Sequence, residues 1–130
     1  MTAPSERRRS DGRAAEDIAA RHLEAHGLSI EARNLRTRRG EIDLVAWDAG
    51  ALVFVEVRLR RSAGHGGAAA SVTARKRARI VAAAEDHLAG LDRVPPCRFD
   101  VVVLDALDPA RVRWLRGAFD ADGAGTADRA

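Results

Sequence analysis

The stretch that decides the fold is GEIDLVAWDAGALVFVEVRL, residues 40–59. EIDLVAWD (41–48) alternates, with Ile42, Leu44 and Ala46 on one face, and ALVFVEVRL (51–59) is rich in β-branched residues. The first pattern predicts a half-buried strand and the second a largely buried one. Ala49-Gly50 joins them into a hairpin. In an antiparallel pair the opposed residues have a constant index sum and point to the same face. A two-residue loop at Ala49-Gly50, or a four-residue loop from Asp48 to Ala51, sets that sum at 99. Asp43 then lies opposite Glu56, and Glu41 opposite Arg58. A three-residue loop, Asp48-Ala49-Gly50 with glycine in the left-handed region, shifts the sum by one and puts the two carboxylates on opposite faces.

The pairing matters because like charges directly opposed in a sheet are destabilising. A buried carboxylate without a partner protonates rather than staying ionised. A cation between the oxygens removes both penalties. Hard divalent ions such as Mg²⁺ take oxygen ligands, use one or two carboxylates and keep several waters. Glu41 with Arg58, by contrast, is a charge-complementary couple that needs no metal. The competing reading is that Asp43 and Glu56 sit at strand ends and are solvated.

Outward from the hairpin, LSIEARNLR (28–36) reads as a strand and TRRG (37–40) as a turn. Before them Ala15, Ile18, Ala19, His22, Leu23 and His26 recur at helical spacing, predicting a helix over 12–27 with Asp11 as N-cap and Gly27 as stop. Residues 1–11 are polar and aperiodic, and are expected to be a disordered arm. After the hairpin, RRSAGHGGAAA (60–70) is a glycine-rich loop. A second helix is predicted from Val72 to Ala89, with its stripe on Val72, Ile80, Val81, Ala84 and Leu88 and its stop at Gly90. Pro95-Pro96 breaks the chain, RFDVVVLD (98–105) is a short buried strand, and VRWLRGAF (112–119) a peripheral one. The tail from Asp120 is expected to be disordered. The order α-β-β-β-α-β-β argues one α/β domain over 12–119, a mixed central sheet flanked by helices.

Composition narrows the function classes. The chain has 130 residues, 46% hydrophobic, enough for one core. A single cysteine, Cys97, excludes an internal disulfide and a multi-cysteine zinc site. No apolar run approaches the roughly 18 residues of a membrane span, and the arginines near the start have no apolar segment behind them, so a cytoplasmic protein is expected. The formal charge is only +3, yet no Asp or Glu occurs from Val57 to Ala84, where Arg58, Arg60, Arg61, Arg75, Lys76, Arg77 and Arg79 stand. Such a block favours a polyanion, above all nucleic acid. A solvated basic face or a bias towards arginine is the alternative, and Lys76 is the only lysine among 22 basic residues. His22, His26, His65 and His87 show no metal-ligand spacing, GHGG (64–67) lacks the lysine of a P-loop, and Cys97 has no visible base. Trp47 and Trp114 are too separated for a base-stacking platform.

GEIDLVA (40–46), LVFVEVRLRRS (52–62), the lone lysine in VTARKRARI (72–80) and RFDVVVL (98–104) together resemble the YraN-like family. The helix GRAAEDIAARHLEAHGLSI, the following RNLR, and VRWLRGAF fit the same pattern, so the resemblance covers about residues 12–119. Members of that family are similar to archaeal Holliday-junction resolvases and to the wider PD-(D/E)XK nucleases. The resemblance implies a restriction-endonuclease-like αβββαβ core and a metal-dependent endonuclease-like protein acting on DNA. It implies that Asp43 and Glu56 bind Mg²⁺ or Mn²⁺, that Glu16 reaches the same site, and, by analogy with the superfamily, that the Val57 carbonyl adds a ligand. An exposed helix glutamate is the other reading of Glu16.

Arg58 departs from the pattern, since the E-x-K motif has lysine there. Arginine stays charged and clamps phosphate, but it cannot take a proton from water. Three explanations follow: arginine bias replaced a purely electrostatic lysine; Lys76 supplies the ammonium; or the site binds without cutting. Lys76 itself is read first as one more phosphate-binding surface charge. The alternatives to a nuclease are a non-catalytic nucleic-acid-binding module of the same fold and a protein-interaction domain. A homodimer would suit junction DNA, though no residue requires one.

Overall fold

The computed structural model describes residues 3–60 and 72–122. Its elements are α1 (Pro4–Ala25), β1 (Ser29–Arg36), β2 (Glu41–Asp48), β3 (Ala51–Leu59), α2 (Ala74–Leu88), β4 (Cys97–Leu104) and β5 (Val112–Phe119). The sheet order is β1-β2-β3-β4-β5. β3 and β4 are parallel and every other neighbouring pair is antiparallel. The expected α/β class with a mixed sheet is therefore the observed one.

The two helices cover the two faces. On one face Ala15, Ala19, Ala20 and Leu23 of α1 pack on Leu44, Ala46, Val53, Val55, Val102 and Leu104. On the other, Ile80, Val81, Ala83 and Ala84 of α2 pack on Ile42, Val45, Leu52, Phe54, Val101 and Val103. β3 is central, buried from Leu52 to Glu56, which explains its unbroken apolar run.

Local chemistry sets the helix ends. α1 stops in a Schellman motif: Gly27, at φ 92°, donates to the Glu24 carbonyl and Leu28 to that of Leu23. The start of α1 differs from expectation. It begins at Pro4 rather than near 12, and Asp11 lies inside it instead of capping it. Residues 3–10 are all exposed, and a helix turn that buries nothing carries no apolar stripe for periodicity to register. α2 is capped by Thr73, whose hydroxyl accepts from the Lys76 N–H at 3.1 Å. Its position over β2 is set by Gly40, where a Cβ would lie 2.1 Å from the Arg79 carbonyl oxygen. The expected loop at 60–70 lies, beyond Arg60, outside the described residues, and so does the tail beyond Asp122.

Candidate metal and nucleic-acid site

The β2–β3 ladder runs from Asp48↔Ala51 to Leu44↔Val55, an index sum of 99 throughout. The two-residue turn is the one used, with Ala49 held at φ 53°. The paired ladder ends at Leu44↔Val55, and the expected common face of Ile42, Leu44 and Ala46 is broken at Asp43: Ile42 packs on the α2 side, Leu44 and Ala46 on the α1 side. There the Val57 N–H is taken by Asp43 Oδ2 at 2.8 Å. A side chain thus closes the hairpin at this end, and it turns the Asp43 carboxylate onto β3.

Among the described residues two acidic side chains are buried, Glu56 at 4% exposure and Asp100. They are treated oppositely. Asp100 accepts from Arg98 Nε, Trp114 Nε1 and the Gly117 N–H, so its charge is satisfied and it anchors β5 to β4. Glu56 Oε2 is buried without a hydrogen bond. The Lys76 ammonium is 3.4 Å away, a charge partner outside hydrogen-bond geometry. Burial, then the hydrogen bond its neutral form makes to Asp43, and then the Asp43 charge push the Glu56 carboxyl up to about 9; Lys76 and Arg58 oppose this. Near neutral pH the isolated site therefore holds a proton where a cation could sit.

Glu16 reaches the edge of this group from α1. Burial and then the Asp43 charge raise its pKa, while the hydrogen bond from Asn34 lowers it. Among the described residues no three His, Cys, Asp or Glu side chains are gathered closely enough to chelate an ion, so Glu16 borders the Asp43–Glu56 pair without closing it.

Asn34 was not visible as a site residue in the sequence. Arg33↔Leu44 and Leu35↔Ile42 put it opposite Asp43 on the β1 side. Its Nδ2 donates to Glu16 Oε1 at 3.0 Å. It holds φ 51° within a strand, a conformation that asparagine tolerates better than most residues and that is found where function over-determines the backbone. The RNLR string contained the signal, but only as a string.

Two sequence expectations change. Glu41 pairs with Arg36 at 3.1 Å, its direct neighbour on β1, rather than with Arg58. The hairpin arithmetic took no account of the second flank of β2. Lys76, read first as a surface charge, has its ammonium at Glu56 because the Thr73 cap and the Gly40 contact swing the first turn of α2 over the end of β3. Arg58 is half-buried, with Nε buried and without a hydrogen bond. It bears on Glu56 through its charge.

Of the remaining basic residues, Arg75 and Arg79 are exposed beside Lys76. Glu41, Lys76 and Arg79 line a depression of about 200 Å³. Arg77 turns back to the Val72 carbonyl. Arg60 is tied through its backbone N–H to Leu104, and Arg61 lies outside the described residues. A larger cavity of about 630 Å³, lined by Thr37, Arg38, Arg39 and Asp86, holds only the ion pair of Arg39 with Asp86 and has no reactive group. Cys97 rests its thiol on the Pro95 carbonyl, and desolvation raises its pKa, which disfavours the thiolate.

With this geometry in view, comparison with known sequences is decisive at one level. A family described as "Uncharacterised protein family UPF0102" matches residues 15–104. The chain belongs to the UPF0102 family. The matched span runs from Ala15 on α1 through Leu104 on β4, so it includes Glu16, Asn34, Asp43, Glu56, Arg58 and Lys76. A UPF0102 protein of Cupriavidus taiwanensis is 58% identical over 120 residues, covering 91% of this chain and 88% of the relative. One from Ralstonia nicotianae is 60% identical over 113 residues, 83% and 85% of the two chains. One from Pseudomonas aeruginosa is 48% identical, covering 87% and 94%. None of these UPF0102 names states an activity. No helix among the described residues is long and apolar enough to cross a membrane.

Proposed function

We propose that this UPF0102 chain is a nucleic-acid-binding, metal-dependent endonuclease-like protein of the PD-(D/E)XK class, cytoplasmic and acting on DNA phosphodiesters. One observation carries the reading. A buried carboxyl oxygen, Glu56 Oε2, has no hydrogen bond, faces a second carboxylate and has an ammonium 3.4 Å away. Structural carboxylates are satisfied as Asp100 is; this oxygen has a charge partner but no hydrogen bond.

The residues fit Mg²⁺ or Mn²⁺. The donors are hard oxygens, and an ion of this kind requires only one or two carboxylates from the protein. Asp43 and Glu56 would hold it, with Glu16 at the rim and the Val57 carbonyl as a further donor. A bound divalent ion supplies Lewis acidity toward the scissile phosphate.

The chain's own groups do the rest. Binding of a cation competes with the proton on Glu56. Asn34 orients Glu16, and the Val57 N–H orients Asp43. Lys76 is half-exposed, so its ammonium can turn from Glu56 to a phosphate oxygen and stabilise developing charge. Of the three explanations for Arg58, this geometry favours Lys76 as the source of the ammonium. Arg58 contributes fixed positive charge, and Arg75 and Arg79 hold the backbone in a salt-dependent manner.

The test is cleavage of duplex, flap and four-way-junction DNA with Mg²⁺ or Mn²⁺ by wild type, Asp43→Ala, Lys76→Met and Arg58→Lys. Wild-type cutting that is lost in Asp43→Ala and strongly reduced in Lys76→Met supports the reading. Cutting that survives Asp43→Ala refutes the metal site. Activity that appears only in Arg58→Lys would make this chain a binding module of the same fold.

A further inference from the structure

We infer that Arg9 and Arg13 form a second phosphate-contacting stripe, on α1, so that nucleic acid is held from both faces of the sheet at the acidic pair. The inference rests on the nucleic-acid reading above and extends it to a surface outside the basic block of 57–84.

α1 has 22 residues, and its buried positions start only at Ala15. The turns before that project past the core with residues 3–10 exposed. Arg7, Arg8, Arg9 and Arg13 stand there against Glu6 and Asp11. Positions 9, 13 and 16 are spaced i, i+4, i+7, which places them on one helix face. Arg9 and Arg13 therefore continue the face that presents Glu16 to Asn34 and Asp43. At 1.5 Å per residue they lie roughly 10 and 5 Å, respectively, along the axis from Glu16. That is within a few phosphates of the site, at about 3.4 Å of rise per nucleotide.

The direction of the helix is what makes the stripe relevant. Glu16 touches the pair's surroundings from one face of the sheet, and α1 leaves the sheet at that end. Lys76, with Arg75 and Arg79, reaches the same end from the other face. A strand laid across Asp43 and Glu56 would run between the two basic surfaces.

The experiment uses the full chain without divalent ions and a short labelled DNA duplex, with affinity followed over about 50–200 mM salt. Arg9→Ala/Arg13→Ala is compared with a control of equal charge change, Arg7→Ala/Arg21→Ala. Arg7 and Arg21 are exposed and face away from Glu16 by helical angle. The first double variant should lose roughly 1.8 from the slope of log K against log salt, at about 0.9 per contact. The control should keep most of the wild-type slope. None of the four residues is in the core, so unchanged melting temperatures are expected. Equal slopes for both double variants overturn the stripe while leaving the nucleic-acid reading in place. No wild-type binding at low salt overturns both. Equal displacement of the DNA by polyglutamate of matched charge would reassign the stripe to an acidic protein and overturn the inference.

Discussion

Replacing Glu56 by glutamine should make the protein more stable as pH rises while removing the group proposed to bind a cation. The folded-state pKa of Glu56 lies near 9, against 4.5 for the free side chain. Between those values the native state keeps a proton that the unfolded chain releases. Stability therefore falls as pH rises through that window and is not lost below it. The slope for one group is about 1.4 kcal/mol per pH unit, or about 4 kcal/mol from pH 5 to pH 8. Relaxation of the site and entry of water around the ionised carboxylate lower this to about 2–4 kcal/mol. Glutamine has nearly the same shape, carries no charge at any pH and can still donate to Asp43. The two proteins should have similar stability near pH 5, and Glu56→Gln should be ahead by about 2–4 kcal/mol at pH 8. At about 3 °C per kcal/mol for a chain of this size, that is about 6–12 °C in Tm. Urea unfolding and thermal melts across pH 5–8 measure it. Millimolar Mn²⁺ should raise the wild-type Tm at pH 8 and leave the variant unchanged. Parallel pH profiles for the two proteins would refute the reasoning. Glu56 would then be ionising as an ordinary solvated carboxylate, and its orphaned oxygen would no longer argue for a cation.

Gly40→Ala should destabilise by about 1–3 kcal/mol in urea, because the new Cβ meets the Arg79 backbone carbonyl rather than a side chain that can turn away. Ala49→Gly should stabilise by about 0.5–1 kcal/mol in the same assay, since the hairpin turn holds Ala49 at φ 53°. Asn34→Gly keeps the left-handed backbone and deletes the amide donated to Glu16; Mn²⁺ affinity by calorimetry should fall about tenfold with little change in Tm, and an equal loss in Asn34→Gln would show that the amide itself is not what matters.

The parts of the fold legible in the sequence were those with a short-range rule. Period-two alternation located β2 and a β-branched apolar run located β3, and the two-residue Ala49-Gly50 turn set the index sum of 99 along their ladder. Gly27 marked the end of α1 through its left-handed φ. The start of α1 was missed because residues 3–10 are exposed, and periodicity reports burial rather than helicity. Glu41 was assigned to the wrong partner because a strand has two neighbours and the hairpin describes one. Asn34 was missed because its role depends on a register with β2 and on a helix lying across the sheet.

By itself, then, the sequence determined an α/β chain with one hairpin that can set two carboxylates face to face, since both follow from side-chain period and turn length within twenty residues. Tertiary structure decided what that pair is. Glu56 is buried only in the folded sheet, at the far end of the central strand, and that burial lifts its carboxyl to about 9. Only the docking of α2 on Gly40 brings Lys76 to it. Desolvation and charge at a site depend on everything around it, and that surrounding is drawn from segments far apart in the chain.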